Sequence, residues 1–240
     1  MAEITSPPPA AAPQMPLLAR IIGVLFSPRE TFAAVVARPK WFGVLAVALL
    51  VMGAAQFALL STDIGQELTL DQQVSAMEAF GVTVTDEMYT RMEQGMDNAR
   101  YTGPLATMFS VPLIMLITAG LLHVIFGLVG GGNGTYKQVY AISAHTAVIS
   151  ALQLVFTTTV TLASGRFAGA NLAVFTPTLE DTTFAYKFLS YIDLFYVWST
   201  FITAVGLGVL YKRRTGPIAM VLFGIYFVIA AIIAYAVSGS

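Results

Sequence analysis

The chain has 240 residues, of which 57% are hydrophobic and only 10% are charged. Soluble domains average about 45–50% apolar and about 25% charged residues, because their surfaces need charge all round. The composition excludes an ordinary soluble domain and is typical of a protein that crosses a membrane several times. The net charge of −1 gives no basis for binding nucleic acid. The absence of cysteine excludes disulfides, thiolate metal sites and a cysteine nucleophile.

The start of the chain is rich in proline and lacks the basic and apolar regions of a cleavable signal peptide. Residues 1–16 therefore predict a disordered cytosolic tail. The rest of the chain, residues 17–240, predicts a single membrane domain.

A short helix is predicted just before the first hydrophobic stretch. Ser27 is a suitable N-cap, Pro28 suits the first helical position, and Glu30 completes a capping box. Phe32 and Val35 then fall on one side of the helix. The segment predicts an amphipathic helix that lies at the inner membrane surface.

Five stretches are long and apolar enough to cross a bilayer core of about 30 Å, which needs roughly 20 residues of helix. Helices are expected because a span in lipid must satisfy its own backbone hydrogen bonds. The fold class is therefore an all-α membrane protein, a bundle of five transmembrane helices. The predicted spans are residues 41–60, 105–129, 139–162, 191–211 and 218–237.

The largest segment between spans, residues 61–103, predicts a helical outer loop. One helix starts at Thr69, with Gln72 three residues later, and stops at Gly81. A second helix starts at Thr85, and its apolar stripe consists of Met88, Met92, Met96 and Ala99. The two helices form either a hairpin or extensions of the flanking spans.

Orientation follows from the basic residues near the span ends. If the amino terminus is inside, eight of the 12 Lys and Arg residues lie inside and four lie outside. The basic turn 211–214, which is short, agrees with this assignment. The chain is thus predicted to have a cytosolic amino terminus and an external carboxyl terminus.

Two histidines are candidate functional residues, because ionisable groups inside a membrane are costly. His123 lies six residues before the end of the second span, and His145 lies six residues after the start of the third. The two rings are therefore expected at nearly the same depth, roughly 9 Å from the inner interface. They could form a proton-handling pair, half of a metal site, or an interhelical hydrogen-bonded contact that only stabilises packing.

Two further polar residues are candidates. Asp193, at the outer end of the fourth span, could cap the helix, pair with Lys187 or line an outward vestibule. Lys137 follows the glycine-rich turn 130–134 and could contact a lipid headgroup. The turn lacks the P-loop pattern, so its glycines are expected to allow a tight crossing between two helices.

The order of these parts resembles the Yip family of five-span membrane proteins. The matching segments read SPRETF…ARP before the first span, FGLVGGGNGTYKQVY after the second and YIDLFYVWSTFITAVGLGVL in the fourth. The resemblance implies that Asp193 and Trp198 belong to the family pattern, and it implies no catalytic residues. The acidic-aromatic motif of eukaryotic members is missing from residues 1–40. The chain thus resembles the bacterial branch, and small-GTPase binding is not implied.

Neither a nucleophile–base arrangement nor paired carboxylates at membrane depth are found, so no enzyme and no cofactor are expected. The leading hypothesis is a scaffold or adaptor in the cytoplasmic (inner) membrane. Its expected partners are membrane lipids and either other proteins or further copies of the chain. The alternative is a small transporter or channel component that uses His123 and His145.

Overall fold

A computed structural model describes residues 15–167 and 169–238. The predicted tail falls almost entirely on residues 1–14, outside the described residues. The described part contains no β-strand, and it comprises nine α-helices, a π-helical turn (His123–Val129) and a 3-10 turn (Leu172–Phe175). The α-helices are α1 (Leu17–Phe26), α2 (Pro28–Ala37), α3 (Phe42–Leu60), α4 (Asp63–Ala79), α5 (Asp86–Leu122), α6 (Tyr136–Ser164), α7 (Phe184–Ser190), α8 (Leu194–Leu210) and α9 (Thr215–Val237).

The all-helical membrane fold is confirmed. Four helical segments in the described part are long and apolar enough to cross a membrane: α3, α5 with its π-helical turn, α6 and α9. They coincide with the first, second, third and fifth predicted spans. The fourth predicted span corresponds to α8, which is apolar but has only 17 residues.

Tyr226 of α9 fixes the start of α8 beside α9. Tyr226 is the middle residue of the 23-residue α9. Its hydroxyl donates to the carbonyl of Tyr191 at 2.7 Å and accepts from the backbone N–H of Asp193 at 3.2 Å. The first residues of α8 therefore lie alongside the middle of α9, and α7 packs on α9 as well.

Two helices, rather than one, precede the first span. Helix α2 begins at Pro28 as predicted, but the Ser27 side chain makes no capping hydrogen bond. The capping-box prediction is wrong because Ser27 also ends α1, where its N–H donates to the carbonyl of Gly23 at 2.7 Å. Phe32 and Val35 do share one side, and both are fully buried, with α2 packed on α8.

The segment after α3 forms a two-helix hairpin (α4 with the first part of α5, residues 63–100), called here the α4–α5 hairpin. Helix α4 starts earlier than predicted, because the Thr62 hydroxyl rather than that of Thr69 caps it, accepting from the N–H of Gly65 at 3.1 Å. The stop at Gly81 (φ +78°) and the cap at Thr85 are confirmed. Helix α5 then continues without a break into the second span.

Helix α6 lies at the centre of the bundle and packs against α1, α2, α3, α5 and α8. Its inward residues Ile142, His145 and Ile149 are fully buried. The connections 38–41, 130–135 and 211–214 meet at one end of the bundle, which is called the basic end below. Contacts across this end include a hydrogen bond from the Arg20 side chain to the carbonyl of Lys40 at 2.5 Å.

Candidate functional site

The glycine-rich turn at the basic end packs tightly against the end of α8. Gly131 has a φ of +67°, a conformation that favours glycine. A Cβ atom on Gly132 would lie 2.2 Å from the Tyr211 ring, and one on Gly134 would lie 2.8 Å from Leu210. The Arg213 side chain also donates to the carbonyl of Gly130. The glycines thus permit a close approach between the α5–α6 turn and α8.

Lys137 lies in the first turn of α6 and is exposed. Beside it, Thr135 and Gln138 form a capping box that the sequence analysis missed, although the pattern of threonine and glutamine three residues apart is its usual signal. The Gln138 side-chain amide also donates to the carbonyl of Val36 at 2.9 Å. This hydrogen bond connects the start of α6 to the end of α2, and the Lys137 side chain is exposed beside it.

His145 is fully buried and is held by two contacts. Its Nδ1 lies 2.7 Å from the carbonyl oxygen of Ala141, one turn earlier on α6. Its Nε2 lies 3.4 Å from a guanidinium nitrogen of Arg20 on α1. A carbonyl only accepts and a guanidinium only donates, so the neutral Nδ1–H tautomer satisfies both contacts.

His123 begins the π-helical turn at the end of α5 and is half-buried. Its ring lies edge-on to that of Tyr136, with centroids 6.3 Å apart. Its Nδ1 is buried and has no hydrogen-bond partner among the described residues. A Cβ on Gly127 would lie 3.0 Å from this atom, so the glycine leaves room for the ring.

The two histidines are not joined in the described part of the chain: neither a hydrogen bond nor a ring contact links His123 to His145. The predicted interhelical hydrogen bond is replaced by a bond from His145 to its own helix and by a contact with Arg20. Sequence reasoning missed Arg20 as a partner. The available signal was its position as the one charge in the apolar stretch LLARIIGVLF.

Asp193 caps α8, which is one of the roles expected for it. Its carboxylate accepts from the N–H groups of Phe195 at 2.8 Å and Tyr196 at 3.2 Å. The residue is buried, and within the described residues it forms no ion pair with Lys187. Tyr226, which the sequence analysis did not single out, binds its backbone N–H. These contacts show that Asp193 stabilises the start of α8.

The α4–α5 hairpin has a packed inner side and a charged outer side. Leu70 on α4 is buried, and the methionine stripe on α5 is half-buried with Ala99 buried. All eight carboxylates between residues 63 and 100 are exposed, against two arginines, Arg91 and Arg100. The hairpin thus presents a strongly acidic surface.

A cleft of about 390 Å³ lies between α5 and α8, with α6 as its floor. Apolar residues and hydroxyl groups line it together. The hydroxyl-bearing residues are Thr118, Ser143, Thr146, Ser150, Tyr196, Ser199 and Thr203. Several of these hydroxyls already donate within their own helix, as Thr146 does to the carbonyl of Ile142 at 3.1 Å. No group of three or more metal-ligating side chains is found among the described residues.

Comparison with known proteins gives one family and one clear relative. The model of the Yip1 domain family matches residues 22–237. The chain is 28% identical over 219 residues to the membrane protein YknW of Bacillus subtilis, a match that covers 87% of each chain. No solved structure matches significantly.

Proposed function

Because the chain belongs to the Yip1 domain family of membrane proteins, we propose that it is a non-catalytic scaffold or adaptor that binds a partner protein or organises the membrane. The observation that carries this proposal is the α4–α5 hairpin. It extends from the bundle, it adds no span of its own, and its outer side is exposed and acidic. Such a surface suits a partner with a basic face, since complementary charges steer and orient association.

The proposal includes five crossings, with α8 as the fourth. A 17-residue helix is about 25 Å long, which is close to the thickness of the bilayer core. Helix α8 ends at the basic end beside the α5–α6 turn, and α7, which precedes α8, packs on α9. Eight of the 12 basic residues belong to segments on the α1 and basic-end side. This asymmetry supports a cytosolic basic end and an external hairpin in the cytoplasmic membrane.

Site-directed crosslinking in native membranes tests the adaptor proposal. A cysteine at Gly95 suits a photocrosslinker, because nothing lies within 4 Å of a Cβ there and the chain has no other cysteine. Asn133→Cys places a second crosslinking site at the basic end, opposite the hairpin. We expect one reproducible crosslinked partner from the cysteine at residue 95. In sealed vesicles, an impermeant thiol reagent should reach the cysteines at residues 95 and 133 from opposite sides of the membrane.

The charge on the hairpin gives a matched control. Asp71→Asn/Glu78→Gln should lower the crosslinked yield about tenfold, because rim charges steer association. Glu180→Gln/Asp181→Asn removes exposed acids elsewhere and should leave the yield unchanged. Recovery of the protein alone would contradict the adaptor role, and crosslinks only between copies would replace it with a homo-oligomer.

A second candidate function is a small transporter or channel component, and the hydroxyl-lined cleft between α5 and α8 favours it. The transporter hypothesis that uses His123 and His145 must treat them as two separate residues, because the two rings do not contact each other among the described residues. Flux into proteoliposomes separates the classes: a saturable flux that His123→Phe or Ser199→Ala/Thr203→Ala abolishes would support transport. Absence of flux for protons and for small cations would favour the adaptor.

A further inference from the structure

We propose that a cleft at the basic end binds the phosphate headgroup of an anionic membrane lipid. The cleft lies between α2 and the α8–α9 turn, and it is called here the α2–turn cleft. Its volume is about 680 Å³. It is lined by Arg29, Ala33, Gly208, Val209, Lys212, Arg213, Arg214 and Thr215. The inference goes beyond protein binding, and it rests on the proposed insertion of α8 and α9 in the membrane.

The charge of the α2–turn cleft points to an anion. Four of its eight lining residues are cationic, and none is acidic. Arg29, Lys212 and Arg214 form no ion pair with a carboxylate in the described part of the chain, and Arg213 uses one nitrogen on the carbonyl of Gly130. Grouped cations repel one another unless an anion lies among them. Arginine guanidinium groups match the geometry of phosphate oxygens, so phosphate is the expected anion.

The turn between α8 and α9 brings three of these cations together. The N–H of Arg213 donates to the carbonyl of Gly208 at 2.9 Å, which makes the turn tight. Lys212 has a φ of +52°, the left-handed region that a residue with a side chain rarely adopts. A Cβ on Gly208 would lie 3.1 Å from the carbonyl oxygen of Arg213, so glycine permits this closure. All three basic side chains of the turn are exposed as a result.

The fourth cation comes from the other wall of the cleft. Arg29 lies in the first turn of α2, and the packing of α2 on α8 sets its position. A Cβ on Gly206 of α8 would lie 3.3 Å from the ring of Phe32, so the two helices are in close contact. Because Phe32 is fully buried, α2 is fixed by its core side, and Arg29 remains exposed over the turn.

An adjoining groove favours a lipid over free phosphate. This groove of about 430 Å³ shares Arg29 and Thr215 with the α2–turn cleft and is mostly apolar. It includes Phe201, whose side chain is 48% exposed, and Val205, both on α8. An acyl chain can lie along these residues while its phosphate stays among the cations. Glu30 also lines the groove, and its charge favours binding of the phosphate on the cation side.

Retention of lipid by the purified full-length protein tests this proposal. The protein is reconstituted in nanodiscs with equal parts of phosphatidylglycerol and phosphatidylcholine and released in detergent, and the lipid that remains bound is measured by native mass spectrometry. We expect preferential retention of phosphatidylglycerol. Arg29→Gln/Arg214→Gln should lower that retention by about tenfold or more, because each basic residue near an anionic surface adds appreciable attraction.

A matched control is Arg38→Gln/Lys40→Gln, which removes the same charge from two exposed residues at the same end but outside the cleft, and it should retain lipid like the unchanged protein. Equal losses in both variants, or no preference for phosphatidylglycerol, would overturn the proposal. Displacement of the lipid by millimolar inorganic phosphate would also overturn it, since free phosphate would then be the ligand. Labelling of Asn133→Cys in sealed vesicles shows whether each variant keeps its orientation, so a failure of the five-span topology is seen separately.

Discussion

Arg20 and His145 are 125 positions apart in the chain, yet a guanidinium nitrogen of Arg20 lies 3.4 Å from Nε2 of His145. The contact joins α1 to the central helix α6. A guanidinium beside a buried ring needs an acceptor, and His145 provides one because its Nδ1 is engaged with Ala141. Arg20 donates to the carbonyl of Lys40 as well, so one side chain connects α1, α6 and the entry to α3.

The two histidines should differ in their effect on stability. His145→Phe removes the contact that joins Arg20 to the central helix and leaves Arg20 with only the carbonyl of Lys40 as an acceptor. We expect it to lower the free energy of unfolding by about 1–3 kcal/mol. His123→Phe should change it by less than about 1 kcal/mol, because the His123 ring has no hydrogen-bonded partner at Nδ1. Thermal unfolding in detergent measures both. A larger loss for His123→Phe would contradict the assignment of Arg20 and His145 as a structural contact.

Four of the five predicted spans were predictable because each depends on local composition. The bounds of α3, α6 and α9 agree with the predictions within a few residues, whereas the helix of the second span starts much earlier, at Asp86. The cap at Thr85 and the helix stop at Gly81 were also predictable, because both depend on neighbouring residues in the sequence. The errors arose where two elements share a residue or meet at long range. Ser27 both ends α1 and precedes α2, so its backbone geometry excludes the expected cap.

The candidate site was less predictable than the fold. Spacing along α5 and α6 placed His123 and His145 at similar depth, but it did not show which neighbour each ring faces. Arg20 decides that for His145, and it comes from α1, a helix that the sequence analysis did not predict. Asp193 was easier, because capping is a local interaction with the next two or three residues.

Asp193 should contribute to stability through its cap. Asp193→Ala removes the acceptor for two N–H groups of α8, and we expect a loss of about 0.5–2 kcal/mol. Asp193→Asn keeps a side-chain oxygen in the same place and should lose less than the alanine variant. Chemical unfolding monitored by circular dichroism compares the two, with Asp181→Ala as a control at an exposed position. Equal stability of all three variants would show that the cap is not needed.

The close approach at Gly132 gives a steric prediction. Gly132→Ala places a Cβ 2.2 Å from the ring of Tyr211, so the α5–α6 turn or the end of α8 must move. We expect a loss of about 1–3 kcal/mol, typical of overpacking. Gly95→Ala is the control, because its Cβ meets nothing within 4 Å and alanine favours helix. The melting temperature should fall for the first variant and stay level or rise for the second.

The Gln138 side chain makes two hydrogen bonds that substitutions can separate. Its Oε1 accepts from the N–H of Thr135 at 2.8 Å, and its Nε2 donates to the carbonyl of Val36 at 2.9 Å. Gln138→Glu keeps an acceptor for the capping box but removes the donor, so only the connection to α2 should be lost. Gln138→Ala removes both interactions. It should therefore lower the free energy of unfolding further than Gln138→Glu does, by the about 0.5–2 kcal/mol that the capping interaction contributes.

Hydrogen exchange followed by mass spectrometry distinguishes these outcomes. In the glutamate variant we expect faster exchange at the end of α2, around Arg38, with the start of α6 still protected, since the capping box survives there. In the alanine variant both segments should exchange faster. If the glutamate variant exposed the start of α6 as much as the alanine variant does, the cap would depend on the Val36 contact. The basic end would then be one cooperative unit rather than two separate interactions.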